Sequence, residues 1–476
     1  MAFIQGQRQQ AQLLPQSIED YIGPEDPVRV YDAFVEQLNF QTLGIDLCPS
    51  QIGPPEFEPK AMLKLLIYGY TYGIRSSRKL ERATYHNLSF MWLTGGLKPD
   101  HKTIARFRRN HRTALKEVLR QCAQMCLKLG LIDGNTLFID GTKLAANASL
   151  KNSWTQDKGR KALAKVESRI EAILAESEAA DEAESGQGSH VQVNPDLANA
   201  TKRKQKIQQI LEELSTTQET SLNTTDKECA AMLKNKSASL AGYNVQAVVD
   251  EKHGLFVSTD VVTDRNDLNQ FDRQLEQAQQ ALNHPCTAAC ADAGYANVTA
   301  LKGPHEQGVK VIVPPAPSNS ATTGTPFEKA KFTYDAQQDV YVCPEKQILG
   351  YRKTNEKERT RVYQIRQPKH CRQCQHFGKC TKSPQGRSIT RLFDELVKEA
   401  LETQYREASS QAIYKLRQQR AEHPFGHIKR NLGARFFLLR GLQGAQAEAG
   451  LLATCFNLTR LIKILGFAKA LEFVGA

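Results

Sequence analysis

The chain has 476 residues, 40% of them apolar and 24% charged, and its 63 Lys+Arg against 51 Asp+Glu give a formal net charge of +12. At roughly 100–200 residues per domain this predicts two to four compact units, with core enough to fold without disulfides. A helical membrane span is excluded. The most apolar long stretch, 436–465, carries Arg440, Glu448, Arg460 and Lys463, whereas a span needs roughly 20 uninterrupted apolar residues.

The N-terminal MAFIQGQRQQAQ has no signal core, so the eleven cysteines read as reduced thiols or metal ligands and the expected compartment is the cytoplasm. The basic excess is concentrated. Arg75 to Lys116 holds 11 Lys/Arg against Glu81 and Asp100, a net of +9; Cys343 to Arg391 holds 13 against three acids, a net of +10. Two such blocks predict surfaces that grip a polyanion, above all nucleic acid.

Residues 15–130 read as mostly helical. Apolar residues in AMLKLLIYGYTY (61–72) have helical spacing, and a second helix (76–87) follows the Gly73 break. Pro99-Asp100 then supplies a turn and an N-cap for HKTIARFRRNHR. A helix, a turn and an Arg-dense helix suggest a helix-turn-helix, with Arg75, Arg78, Arg106, Arg108 and Arg109 as DNA contacts. TLFIDG (136–141) reads as a strand stopped by Gly141. Leu163, Val166, Ile170, Ile173 and Leu174, then Ile207, Ile210, Leu211 and Leu214, repeat at three and four around a Ser185–Ser189 break, predicting an inserted helical hairpin or coiled-coil arm.

From Tyr243 the pattern turns to β. NVQAVVD (244–250) and LFVSTDVVT (255–263) flank Lys252-His253-Gly254 as a hairpin. A helix (267–282), the segment CTAACADAGY, a second helix (298–307) and VKVIVP (309–314) complete a mixed α/β pattern. A Pro/Ser/Thr-rich boundary, a cysteine block and C-terminal helices from 391 follow.

Three carboxylates stand at element ends: Asp140 in LFIDGTK, Asp292 in AACADAGY and Glu422 in QQRAEHPFG. Alone, an Asp before Gly is most often a turn or cap residue. Together, with the first two on parallel neighbouring strands, they would meet at the sheet's C-terminal edge, where open α/β sheets bind ligands. Three carboxylates suit a pair of Mg2+ or Mn2+ ions, one activating the attacking water or hydroxyl and the other stabilising the leaving 3′ oxygen. Asp250 and Asp267 compete with Asp292 for the second position, but a turn and an N-cap explain them.

These runs resemble the DDE transposases of bacterial insertion sequences, which have a ribonuclease H-like catalytic domain. LLIYGYTYGIRSSRKLERA (65–83) and FMWLTGGLKPDHKTIARFR (90–108) match the family's N-terminal domain; FIDGTKLAANAS, GYNVQAVVD, ADAGY and AEHPFGHIKR follow in order. The resemblance implies that Asp140, Asp292 and Glu422 are the catalytic metal ligands. It also implies that Tyr414, Arg417 and Lys429 contact the DNA end. Glu422 and Lys429 keep the family's gap of six residues, whereas four residues rather than three separate Arg417 from Glu422. Pro424 predicts a kink or a restart of that helix.

Cys343, Cys371, Cys374 and Cys380 form a four-thiolate set suited to a structural Zn2+, with His370 and His376 as substitute ligands. Cys48, Cys122, Cys126, Cys229, Cys286, Cys290 and Cys455 are expected as small buried hydrophobes.

The expected architecture is α/β, a ribonuclease H-like mixed sheet with three additions: a helical N-terminal domain, a helical insertion and a zinc-ribbon-like cysteine insertion. Its divisions are 1–130 (helical, DNA-binding), 131–150 (first catalytic strand), 151–235 (helical insertion), 236–315 (core), 316–392 (basic, cysteine-rich) and 393–476 (helices bearing the catalytic Glu). The expected activity is cleavage and strand transfer at terminal inverted repeats in double-stranded DNA, by a homodimer at the bacterial nucleoid. The alternatives are a ribonuclease H-like nuclease without strand transfer and a catalytically inactive zinc-containing DNA-binding protein.

Overall fold

The computed structural model describes residues 17–48, 55–183, 195–217, 220–235, 238–316 and 326–475. Two units divide the chain: Met1–Asp267, Gln274–Cys286 and Gln418–Ala476 form the first, Leu268–Arg273 and Thr287–Arg417 the second.

The first unit opens with helices α1 (Val28–Glu36), α2 (Pro59–Thr71), α3 (Ser77–His86), α4 (Leu88–Leu93), α5 (His101–Asn110) and α6 (Arg112–Lys128). Helix α2 is the hub. Nine of its residues, from Ala61 to Tyr70, are buried, as an all-round apolar helix must be. Helix α3 approaches it so closely that a Cβ on Gly69 would lie 2.2 Å from Leu80 Cδ2. Side chains set the starts of two later helices. Asn87 accepts from the Phe90 amide at 3.3 Å, and Asp100 accepts from Thr103 at 2.7 Å.

Strand β1 (Thr136–Ala145) does not stop at Gly141. Residues 137–145 pair antiparallel with β3 (Ala238–Asp250), Gly141 lying opposite Gln246, so a ladder on both sides of the glycine carries the strand onward. Between them come α7 (Gln156–Ala183) and α8 (Pro195–Thr217), which pack together through Val166, Ile173, Ile207, Ile210 and Leu214. The Ser185–Ser189 break lies outside the described residues, as does most of the Pro/Ser/Thr-rich boundary. Strand β2 (Ala230–Asn235) and β4 (Phe256–Val262) flank β3, both antiparallel to it. The next helix, α9, runs Phe271–Leu282 and starts four residues after Asp267.

The second unit holds β5 (Ala288–Cys290), α10 (Val298–Glu306) and β6 (Lys310–Ile312), a parallel strand pair with its crossover helix. The cysteine-rich segment is an antiparallel meander of β7 (Thr333–Asp335), β8 (Val340–Val342), β9 (Ile348–Asn355), β10 (Thr360–Ile365) and β11 (Ser388–Leu392), with α11 (Pro368–Gln373) between the last two. Its core is Phe332, Tyr341, Leu349, Tyr363, Ile365 and Ile389. Asp339 accepts the hydroxyls of Tyr334 at 2.6 Å and Tyr363 at 2.5 Å, and these bonds hold its carboxyl below the usual range. The Arg391 guanidinium lies 3.8 Å from the Tyr334 ring centre and donates to the Tyr341 hydroxyl. Helices α12 (Glu395–Arg406) and α13 (Ala408–Arg417) end this unit.

The chain then rejoins the first unit through a π-turn (Gln418–Glu422), α14 (His423–Arg430), α15 (Leu442–Leu465) and α16 (Phe467–Gly475). Helix α15 carries a buried carboxylate. Glu448 accepts from Arg75 Nη2 at 2.7 Å, Tyr70 Oη at 3.1 Å and the amides of Leu438 and Leu439 at 2.7 and 3.2 Å. Arg75 also donates to the carbonyls of Gly433 and Phe436. Arg108 donates to Tyr70 Oη, to the Arg75 carbonyl and to Ser77 Oγ. No described helix is long and apolar enough to cross a membrane.

With side-chain exposures of 6% for Arg75 and 0% for Glu448, removing one partner strands a buried charge. Arg75→Met is expected to lower stability by about 3–5 kcal/mol, read as a lower urea midpoint; an unchanged midpoint would place Arg75 outside this network.

Candidate active site and DNA-contact surfaces

Alternation along β1 puts Phe138, Asp140, Thr142 and Leu144 on one face. Asp140 is half-buried and its Oδ1 accepts from the Gly141 amide at 3.0 Å. The π-turn that ends in Glu422 packs against β1. On α14, Lys429 lies two turns beyond Glu422 and therefore on the same flank. Its ammonium donates to Thr142 Oγ1, two residues from Asp140 and on the same strand face. Thus the first unit brings Asp140, Thr142, Glu422 and Lys429 to one strand–helix junction. Thr142 was missed in the sequence, although its i+2 spacing from Asp140 was a readable signal.

The extra residue between Arg417 and Glu422 has a structural counterpart. A π-turn closes hydrogen bonds from i to i+5 and holds one residue more than an α-turn, commonly at functional sites. Here it occupies Gln418–Glu422, and an α-helix restarts at His423 with Pro424 in its first turn, where a missing N–H costs nothing.

In the second unit, Asp292 follows β5 and caps a short 3-10 turn, accepting from the Gly294 amide at 2.8 Å. Burial pushes the neighbouring Cys290 thiol up to about 12, with Arg417 acting against the rise and Asp292 adding to it. Burial raises Tyr414 as well, and Arg417 opposes that shift. Asp292, Arg417 and Tyr414 thus gather around the end of β5, against which α13 packs.

The competing acids have structural employment. Asp250 is buried and accepts from the amides of Gly134, Lys252 and Asp133, with burial raising its pKa. Asp267 accepts from the Asn244 and Gln246 side-chain amides at 2.7 and 2.6 Å.

The five arginines predicted to touch DNA separate by burial. Arg75 and Arg108 are interior, their guanidiniums spent on Glu448, Tyr70, Ser77 and carbonyl oxygens. Arg78, Arg106 and Arg109 are exposed. Lys102, Arg106 and Arg109 share one face of α5, and Arg78 and Arg82 one face of α3; His101 joins the two helices through Glu81 at 2.8 Å.

Cys343, Cys371, Cys374 and Cys380 line one pocket with His370 and His376. The Gln347 and Arg387 amides point at the sulfurs of Cys343 and Cys371, at 3.3 and 3.5 Å. Burial raises the Cys380 thiol, opposed by Arg387 and reinforced by the other three cysteines. Among the described residues, no group of three or more His, Cys, Asp or Glu is placed so as to hold a metal ion. Of the remaining cysteines Cys48 is exposed, contrary to expectation, in the connection between α1 and α2, where its amide donates to Asp46 Oδ1; the other six are buried.

The bond between Lys429 and Thr142 predicts coupling. In a double-mutant cycle of Thr142→Val and Lys429→Met, the two stability losses should fall short of additivity by about 1 kcal/mol. Strict additivity in thermal unfolding would deny the contact.

Comparison with protein families gives two matches: Transposase domain (DUF772) over residues 16–110 and Transposase DDE domain over residues 342–462. The first contains the exposed arginines of α3 and α5; the second contains the four clustered cysteines, Tyr414, Arg417, Glu422 and Lys429. Asp140 and Asp292 lie outside both. No curated protein matches the chain. Two separate regions of the chain thus match transposase domains, the second of them a DDE domain.

Proposed function

We propose that the protein binds the terminal inverted repeats of its own insertion sequence, cleaves a phosphodiester at the element end, and joins the exposed 3′ hydroxyl to target DNA. The observation that carries this is the junction of β1 with the helix of the matched DDE domain, where Lys429 bonds two residues from Asp140. In this reading the α/β core is ribonuclease H-like and the active form is a homodimer.

The donors fit the ions such chemistry uses. Asp140, Asp292 and Glu422 offer only carboxylate oxygens, the hard ligands that Mg2+ or Mn2+ takes, and all three retain access to solvent that can complete a hydrated shell. Bound in a pair, such ions supply an activated water or hydroxyl and stabilise the leaving oxygen. The chain's own cations do the rest. Lys429 exchanges its Thr142 bond for a phosphate oxygen of the element end, while Arg417 and Tyr414 orient the neighbouring backbone. Arg78, Arg106 and Arg109 hold the repeat. The four cysteines, with two amides already aimed at their sulfurs, would hold a structural Zn2+ when deprotonated and would tie the β8–β9 connection to the β10–β11 connection.

Asp140→Ala is expected to abolish Mg2+-dependent cleavage of an end-containing duplex while binding persists, since phosphate contacts supply most affinity. Cleavage retained by this variant would remove Asp140 from the metal site, and cleavage by the wild type without joined products on a gel would reduce the activity to hydrolysis. Metal analysis of the purified chain should find one zinc, lost together with thermal stability in Cys374→Ser. A metal-free wild type of equal stability would exclude the zinc site.

A further inference from the structure

The helix that bears Glu422 has a second flank. His423 and His427 lie one turn apart on α14, away from the face of Glu422 and Lys429. They meet the last turns of α15: ring centres of His427 and His423 lie 5.3 and 6.4 Å from that of Phe456. Phe456, Arg460 and Lys463 share one face of α15 by the same spacing. The β3–β4 turn completes the group. Gly254, with φ +65°, sits so close to the π-turn that a Cβ there would lie 3.3 Å from the Arg420 carbonyl oxygen. Burial holds His253 below its ordinary pKa, aided by Lys252, Arg460 and Arg420; burial, Lys463 and His423 do the same for His427.

Three elements of the first unit therefore converge on a surface where cations outnumber acids, with Asp133 the opposing charge beside His253. Lys252 is paired, to Asp133 at 2.9 Å. Among the described residues, Arg420, Arg460 and Lys463 have no ion-pair partner, and the buried Nε atoms of Arg420 and Arg460 have no hydrogen-bond partner in the protein. Buried guanidinium donors without acceptors cost free energy in the isolated chain, and an anion would satisfy them. A lone small anion would engage one such group; cations spread over a turn, a helix and the end of another suit a run of phosphates.

We propose that Arg420, Arg460 and Lys463, with the β3–β4 turn beside them, form a second grip on the phosphate backbone of duplex DNA, on the far flank of the helix whose near flank carries Glu422 and Lys429. This rests on the transposase reading and extends it. DNA held there would be anchored beside the reacting strand without touching the carboxylates, and the grip would be indifferent to base sequence.

The test is the salt dependence of binding to a labelled random-sequence duplex, followed by fluorescence anisotropy. For Arg460→Gln/Lys463→Gln, two lost phosphate contacts should lower the slope of log K against log salt by about 2 and weaken binding about tenfold or more at near-physiological salt. Lys463 is exposed, so Lys463→Gln alone keeps the fold and should lower the slope by about 1. An unchanged slope in the single and double variants, with the wild type binding normally, overturns the second grip and leaves the transposase reading intact. A wild type that binds no duplex sinks both.

Discussion

The Glu448 carboxylate is the constraint on which much of the first unit depends. It is removed from water, so its charge needs a full set of donors, and it gathers them from distant parts of the chain: Arg75 and Tyr70 from the N-terminal helices, and two amides from the segment between α14 and α15. That segment in turn continues to β1, where the Phe437 amide donates to the Ala145 carbonyl at 2.9 Å. One buried ion pair thereby ties the N-terminal helices to the strand that bears Asp140. Leaving it half-made would be costly, which is a reason for both halves to stay in place.

The same network shows why a run of basic residues is an ambiguous signal. The block from Arg75 to Lys116 reads as a continuous positive surface, yet two of its arginines face inward. Nothing in their immediate neighbours distinguishes them; the acid that neutralises Arg75 is 373 positions away. Arg78, Arg106 and Arg109 stay at the surface, and Lys102 and Arg82 join them on the same helix faces.

The long elements were legible because periodicity is local. The apolar helix at 59–71, the Asp100 cap, the hairpin across residues 252–254 and the paired helices α7 and α8 all follow from patterns within a few turns of chain. Their ends were less so. Gly141 looks like a strand stop, but cross-strand pairing with β3 overrides it. At the candidate site, Glu422 and Lys429 are singled out by resemblance to the transposase signature, whereas Thr142 and the Arg420–Arg460–Lys463 surface depend on tertiary neighbours. The cysteine cluster was visible as four thiols, but not the aromatic sheet around it, whose Tyr334, Tyr341 and Tyr363 owe their arrangement to strand register.

The π-turn before Glu422 has an evolutionary corollary. A wide turn swallows a surplus residue locally instead of rotating everything downstream by about 100°, the angular step of an α-helix. Pro424, whose ring fixes the opening of the next helix, insulates it from the other side. Upstream helices are therefore at liberty to lengthen or shorten by a residue while the acid keeps its aim, so a count of positions between two signature residues is a poorer guide to kinship here than the identity of the residues themselves.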